Sequence, residues 1–146
     1  MLRQWSTLHP EFAYLPRKFK FAITGSAVDR AAIKVHDIGL RLKKADDGGF
    51  LTDVWVGGGQ GRTPKVAKLF KADLTLKELL PYIEALMRVY NSYGRRDNKY
   101  KARIKILLAE TGLEVLQSQV EAEYQSVDRE PFQKVESELE LSLIHI

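Results

Sequence analysis

Cysteine is absent from all 146 residues of the chain, which excludes a disulfide and any thiolate-held metal or cluster within it. Histidine is nearly as scarce: His9, His36 and His145 are scattered and make no metal-ligand spacing, so they read as surface or capping residues. No apolar run approaches the roughly 18 residues of a membrane-crossing helix. The opening MLRQWSTLHPEF lacks the apolar stretch of a secretory leader, so a cytoplasmic location and no membrane partner are expected. Nucleophile motifs are missing too. There is no GxSxG elbow, Ser26 and Ser92 have no histidine nearby, and Asp46–Asp47 lie in a turn where solvation explains them. Hydrolase chemistry has no support.

What is present is ordinary in amount and uneven in placement. Hydrophobic residues make up 45% and charged residues 29%, usage typical of a globular chain, and the length suffices for one domain or two small subdomains. Residues 1–120 hold 21 Lys+Arg against 12 Asp+Glu, whereas residues 121–140 hold two against seven. The larger part is therefore distinctly basic, and its ligands are expected to be anions: nucleic acid, phosphate, a polycarboxylate cofactor or a small oxyanion.

Along the chain, Leu2–Phe12 carries a weak helical pattern that ends at Pro10. KFKFAIT at Lys18–Thr24 alternates charged and apolar residues and reads as a strand stopped by Gly25 and Ser26. On that strand Lys18 and Lys20 would share one face, with Arg17 on the other beside Phe19 and Phe21. Asp29–Val35 is ambiguous between a short helix and an irregular crossing. Ile38–Lys44 and Phe50–Val56 alternate about an ADDGG turn, which predicts an antiparallel hairpin. GGGQGRTP at Gly57–Pro64 is a flexible loop, and Pro64 allows a helix to begin near Lys65. Thr75 and Glu78 form a capping box ahead of an apolar face of Leu76, Leu79, Leu80, Ile83, Leu86, Met87 and Tyr90, ending at Gly94 as a C′ glycine. Further helices are expected over Ile104–Glu110 and Leu113–Tyr124. Residues after Gln125 are acidic, poorly patterned and read as exposed or unfinished. LSLIHI at Leu141–Ile146 reads as the translation of a transposon-based sequencing adapter, so natural sequence is expected to stop near Glu140.

The densest chemical signal is RRDNKYKARIK at Arg95–Lys105, with six basic residues in eleven positions where one helix ends and another begins. Guanidinium forks and ammonium groups there suit an anion. A solvated basic face or an RNA contact reads equally well from composition, although aromatic residues for base stacking are few. Arg17 is the second suspect, because a guanidinium among aromatic rings needs an anionic partner. The glycine loop could cradle a phosphate or lie against a flat ligand, but its GxGxG spacing is a poor dinucleotide fingerprint.

LPRKFK at Leu15–Lys20, VWVGGGQGRTP at Val54–Pro64 and YNSYGRRDNKYKARIK at Tyr90–Lys105, in this order, resemble the siroheme-dependent nitrite and sulfite reductase family. LRQWSTLHPEF and VHDIGL at Val35–Leu40 add to the likeness, which runs from about Leu2 to Tyr124. The resemblance implies an α+β fold: the end of a ferredoxin-like subdomain with the antiparallel hairpin in 1–70, then a helix-rich α/β siroheme-contacting region in 71–125. An acidic, incomplete segment would occupy 126–140 and the adapter translation 141–146. It implies catalytic roles for Arg17, Arg103 and Lys105, and siroheme contacts from Arg103, Lys105, Lys101, Gly58 and Gly59. The cofactors would be siroheme and a [4Fe–4S] cluster whose cysteines lie in the other half of the polypeptide, which leaves no metal ligand here. Sulfite would be reduced to sulfide, or nitrite to ammonia, with electrons from ferredoxin or a flavoprotein subunit, and the piece alone would be inactive. The alternative is a small basic αβ module binding RNA through 95–105; the family reading implies no nucleic acid.

Overall fold

The computed structural model describes residues 1–134 and 137–138. Two short helices, α1 (Leu2–Ser6) and α2 (Pro10–Ala13), open the chain. They are separate because Leu8 takes a left-handed conformation (φ 62°) between them. Pro10 therefore starts a helix and does not end one: it occupies the first turn, where its missing N–H costs nothing, while His9 caps the Glu11 N–H.

A four-stranded sheet follows, ordered β1-β2-β3-β4. Strand β1 (Phe21–Thr24) pairs parallel to β2 (Ile38–Lys44), and β2 pairs antiparallel to β3 (Phe50–Val56) in unbroken register from Ile38↔Val56 to Lys44↔Phe50. The predicted hairpin holds residue for residue. The strand expected over Lys18–Thr24 is shorter, because the Asp37 carboxylate takes the Lys20 N–H that a ladder would have used. Arg17 is consequently not on an opposite strand face. The ambiguous stretch resolves as bends and a single 3₁₀ turn over Ile33–Val35.

Strand β4 (Lys68–Thr75) is the surprise after the glycine loop. The helix allowed from Lys65 does not form, because Gly59 and Lys65 exchange two backbone hydrogen bonds of 2.9 Å and lead the chain straight into the sheet. β4 also runs through residues 70 and 71, so one sheet and one core serve both sides of that boundary.

Helix α3 (Leu76–Tyr93) starts at the expected capping box, with Thr75 and Glu78 satisfying one another's backbone N–H groups. Sheet on one side and α5 (Leu113–Ser126) on the other cover it almost all round, so Ile83, Leu86, Met87 and Tyr90 are fully buried. Each such side chain contributes about 1.5–3 kcal/mol. Gly94 closes α3 differently from the expectation: its φ is −63°, so left-handed freedom is not the reason for glycine. A Cβ there would lie 2.5 Å from Tyr90 O and 2.8 Å from Pro16 Cγ, so lack of room is the reason. Helix α4 (Ile104–Thr111) precedes α5 across Gly112. The segment beyond Gln125 is not wholly exposed, since Val127 and Phe132 are buried in the core and Trp5 packs on Phe132. LSLIHI lies outside the described residues.

Candidate anion-binding cleft

Four segments converge on one cleft of about 460 Å³: residues 17–20 ahead of β1, Val35 and His36 at the end of the 3₁₀ turn, the glycine loop at 60–63, and 99–105 leading into α4. Seven of its thirteen lining residues are Lys or Arg, and none is Asp or Glu. A wall of that composition repels cations and concentrates anions.

The cations are held by specific partners beneath the surface. Arg103 stands at the N-cap position of α4, and its Nε and Nη2 donate to the Asp37 carboxylate at 3.0–3.2 Å. Asp37 is fully buried just before β2, and its second oxygen accepts the Lys20 N–H at 2.9 Å. Lys105, the second residue of α4, donates from Nζ to the carbonyls of Gln60 (2.9 Å) and Thr63 (2.8 Å), so the loop closes over its ammonium. Burial, reinforced by Arg103 and Lys65, holds the Lys105 pKa below the usual 10.5 against the opposing pull of Asp37. Arg17 Nη1 donates to Lys99 O at 2.8 Å. Beneath them the Tyr90 hydroxyl donates to Ala102 O at 2.7 Å, and burial pushes its pKa up to about 12, so it stays a donor.

Arg17, Arg103 and Lys105, far apart in sequence, thus line one cleft. Gly59 underlies two of them: a Cβ there would lie 3.3 Å from both Arg103 Nη2 and Lys105 Nζ. Gly58 and Lys101 do not line the cleft. Gly58 is pressed against the carbonyls of Lys34 and His36, and Lys101 ends an exposed 3₁₀ turn. The basic run divides likewise. Arg95 pairs with Asp97 and Glu110, and Arg96 donates to Tyr14 O and Asn91, so these two guanidiniums brace the fold. Carboxylates thus neutralise Arg95 and Arg103 within the run, which thins the basic face that RNA over 95–105 would need.

Sequence reasoning passed over Asp37 and His36. His36, the C-cap of the 3₁₀ turn, also borders the cleft, with Nδ1 donating to Ala32 O at 2.8 Å. The signal for Asp37 was slight, since its guanidinium partner is 66 residues away. No group of residues suited to holding a metal ion occurs among the described residues. No helix among them is long and apolar enough to cross a membrane.

Residues 1–127 match the family model described as the nitrite and sulphite reductase 4Fe-4S domain. A ferredoxin sulfite reductase of Mycolicibacterium paratuberculosis is 33% identical over 116 residues, covering 80% of this chain and 20% of the relative. An assimilatory ferredoxin-dependent nitrite reductase of Haloferax mediterranei is also 33% identical, over 75% of this chain and 20% of its own length. The fold is similar to the solved structure of the Mycobacterium tuberculosis NirA protein, with a TM-score of 0.70 and 33% identity over 80% of this chain and 21% of that one. The chain spans about a fifth of the length of the curated relatives it matches.

Proposed function

The chain belongs to the nitrite and sulphite reductase family, and on that premise we propose that its cleft receives a substrate oxyanion and siroheme carboxylates as one part of a larger reductase. The carrying observation is the lining itself, with seven cations and no carboxylate around about 460 Å³. Siroheme bears eight carboxylates, and burying them requires such a wall. The fit extends to Gly59, whose missing side chain leaves room for the tips of Arg103 and Lys105. The [4Fe–4S] cluster that the family implies has no ligands here, since the chain lacks cysteine; its thiolates belong to the remaining polypeptide. When bound, the siroheme–cluster pair supplies the electrons.

The chain's own residues supply charge, aim and protons. Arg17 is anchored through Nη1 to Lys99 O, and the rest of its fork is available to the oxygens of a bound sulfite or nitrite. Holding those oxygens favours their departure as water once protonated. Lys105 is the proton donor at Nζ: with its pKa held down by burial and by Arg103, its ammonium gives up a proton more readily than an exposed lysine. Arg103 flanks it and neutralises carboxylates.

Relatives named for sulfite and for nitrite match at the same identity, so the proposed substrate class is a small oxyanion of sulfur or nitrogen, reduced to sulfide or ammonia. Relatives named for ferredoxin and for an NADPH hemoprotein component support either ferredoxin or a flavoprotein subunit as donor. In the intact reductase, Arg17→Gln and Lys105→Met should each lower turnover by about 100-fold or more, the range of a lost proton donor or electrostatic clamp. Siroheme absorbance should be retained in both. Unchanged turnover removes the residue from the mechanism.

A further inference from the structure

The cleft holds its cations close together, and one buried carboxylate governs the arrangement. Arg103 Nη2 and Lys105 Nζ both lie 3.3 Å from the same point above Gly59. Two like charges facing one such point repel unless something fixes them. Asp37 is placed to do so. It has no solvent exposure, takes three contacts from the Nε/Nη2 edge of Arg103, and is itself fixed by the Lys20 N–H and by its own carbonyl accepting from Gly57 N at 3.0 Å. Nη1 of Arg103 is left without a protein partner among the described residues, on a side chain that still reaches the cleft.

We propose that Asp37 is the positioning residue of this site: its carboxylate clamps one edge of Arg103, so that the Nη1 edge is presented to the anion beside the Lys105 ammonium. The inference rests on the reading of the cleft as an anion site and adds a residue that touches no ligand. A plain structural ion pair would also bury Asp37 against Arg103. The two differ in what happens to the neighbours. A clamp controls anion affinity and the titration of Lys105, on which Asp37 acts against Arg103 and Lys65.

The test uses the 146-residue chain with nitrogen-15 and carbon-13 labels, followed by NMR. In the unaltered chain the Arg103 Nε–H should exchange about tenfold or more slower than in free arginine, the factor one charge-assisted hydrogen bond confers. Asp37→Asn keeps an oxygen for the Lys20 N–H but removes the charge. It should bring Arg103 exchange to the free-arginine rate and move the Lys105 midpoint further below 10.5. Titration with sulfite separates clamp from counter-ion by sign. A lost clamp weakens sulfite binding in spite of the added positive charge, whereas a lost counter-ion tightens it. Free-arginine exchange in the unaltered chain, unchanged exchange in a folded Asp37→Asn, or tighter sulfite binding overturns the proposal. The exchange readout needs no ligand, so a chain that ignores sulfite counts against the anion reading while Arg103 exchange still shows whether Asp37 fixes that edge of the guanidinium. Should Asp37→Asn not fold, exchange in the unaltered chain decides.

Discussion

Gly58 and Gly59 are neighbours with different reasons for lacking a side chain. A Cβ on Gly58 would meet the backbone carbonyls of Lys34 and His36, which cannot move aside, whereas one on Gly59 would meet the flexible tips of Lys105 and Arg103. Gly58→Ala should therefore destabilise by about 1–3 kcal/mol, the cost of overpacking, and Gly59→Ala by clearly less while weakening sulfite binding. Urea denaturation and a sulfite titration of the two variants check this; equal destabilisation would refute it. Lys105 yields a second residue-scale prediction. Its folded pKa lies below the 10.5 of an unperturbed lysine, so between the two values the unfolded chain holds more protons and stability rises with pH. Below the folded value the penalty of a buried ammonium is fully present, and above 10.5 it is gone. The melting temperature of the chain, taken relative to Lys105→Met from neutral pH to about 10.5, should climb. A flat difference sinks the idea. At this scale the sequence showed the cations, because a dense basic run and an arginine among aromatics stand out locally. Asp37 did not stand out, since a lone aspartate acquires its meaning from Arg103, 66 positions later.

Elements were legible where their determinants are contiguous. The capping box of α3 and the apolar spacing after it lie within one stretch of chain, and β2–β3 alternates on both sides of a compact turn. Thr75→Ala should cost about 1 kcal/mol through the lost cap, seen as a lower urea midpoint with unchanged slope; no shift would mean that packing alone starts the helix. β4 escaped notice for a physical reason. Its buried residues are Phe70 and Leu74, four apart, a spacing that suits a helix better than a strand. The register with β3 slips between Thr52 and Val54, and Asp73 turns left-handed at φ 57° with its N–H on Asp53 Oδ1. A bulge of this kind breaks the period of two that identifies strands. The 3₁₀ turn over Ile33–Val35 was ambiguous on similar grounds, being only three residues long.

At the scale of the whole molecule, a chain without cysteine offers cations to a bound anion but no thiolate to a metal. Expressed by itself, the chain should carry acid-labile sulfide only at background level after iron–sulfur reconstitution, because cluster ligation needs thiolates. Stoichiometric sulfide would contradict this. The cleft is also assembled from distant stretches of sequence, with Arg17 ahead of β1, Asp37 beneath it, and Arg103 and Lys105 beyond α3. That spread has a consequence for biosynthesis. A ribosome adding about 5–20 residues per second needs roughly 3–13 seconds to pass from Asp37 to Arg103 at that pace. During that interval the residues of the hairpin have been synthesised, yet Asp37 has no guanidinium to meet. An unpaired carboxylate resists burial. Burial of Asp37 therefore has to wait for Arg103, and this corner of the sheet can close only once the residues ahead of α4 have emerged.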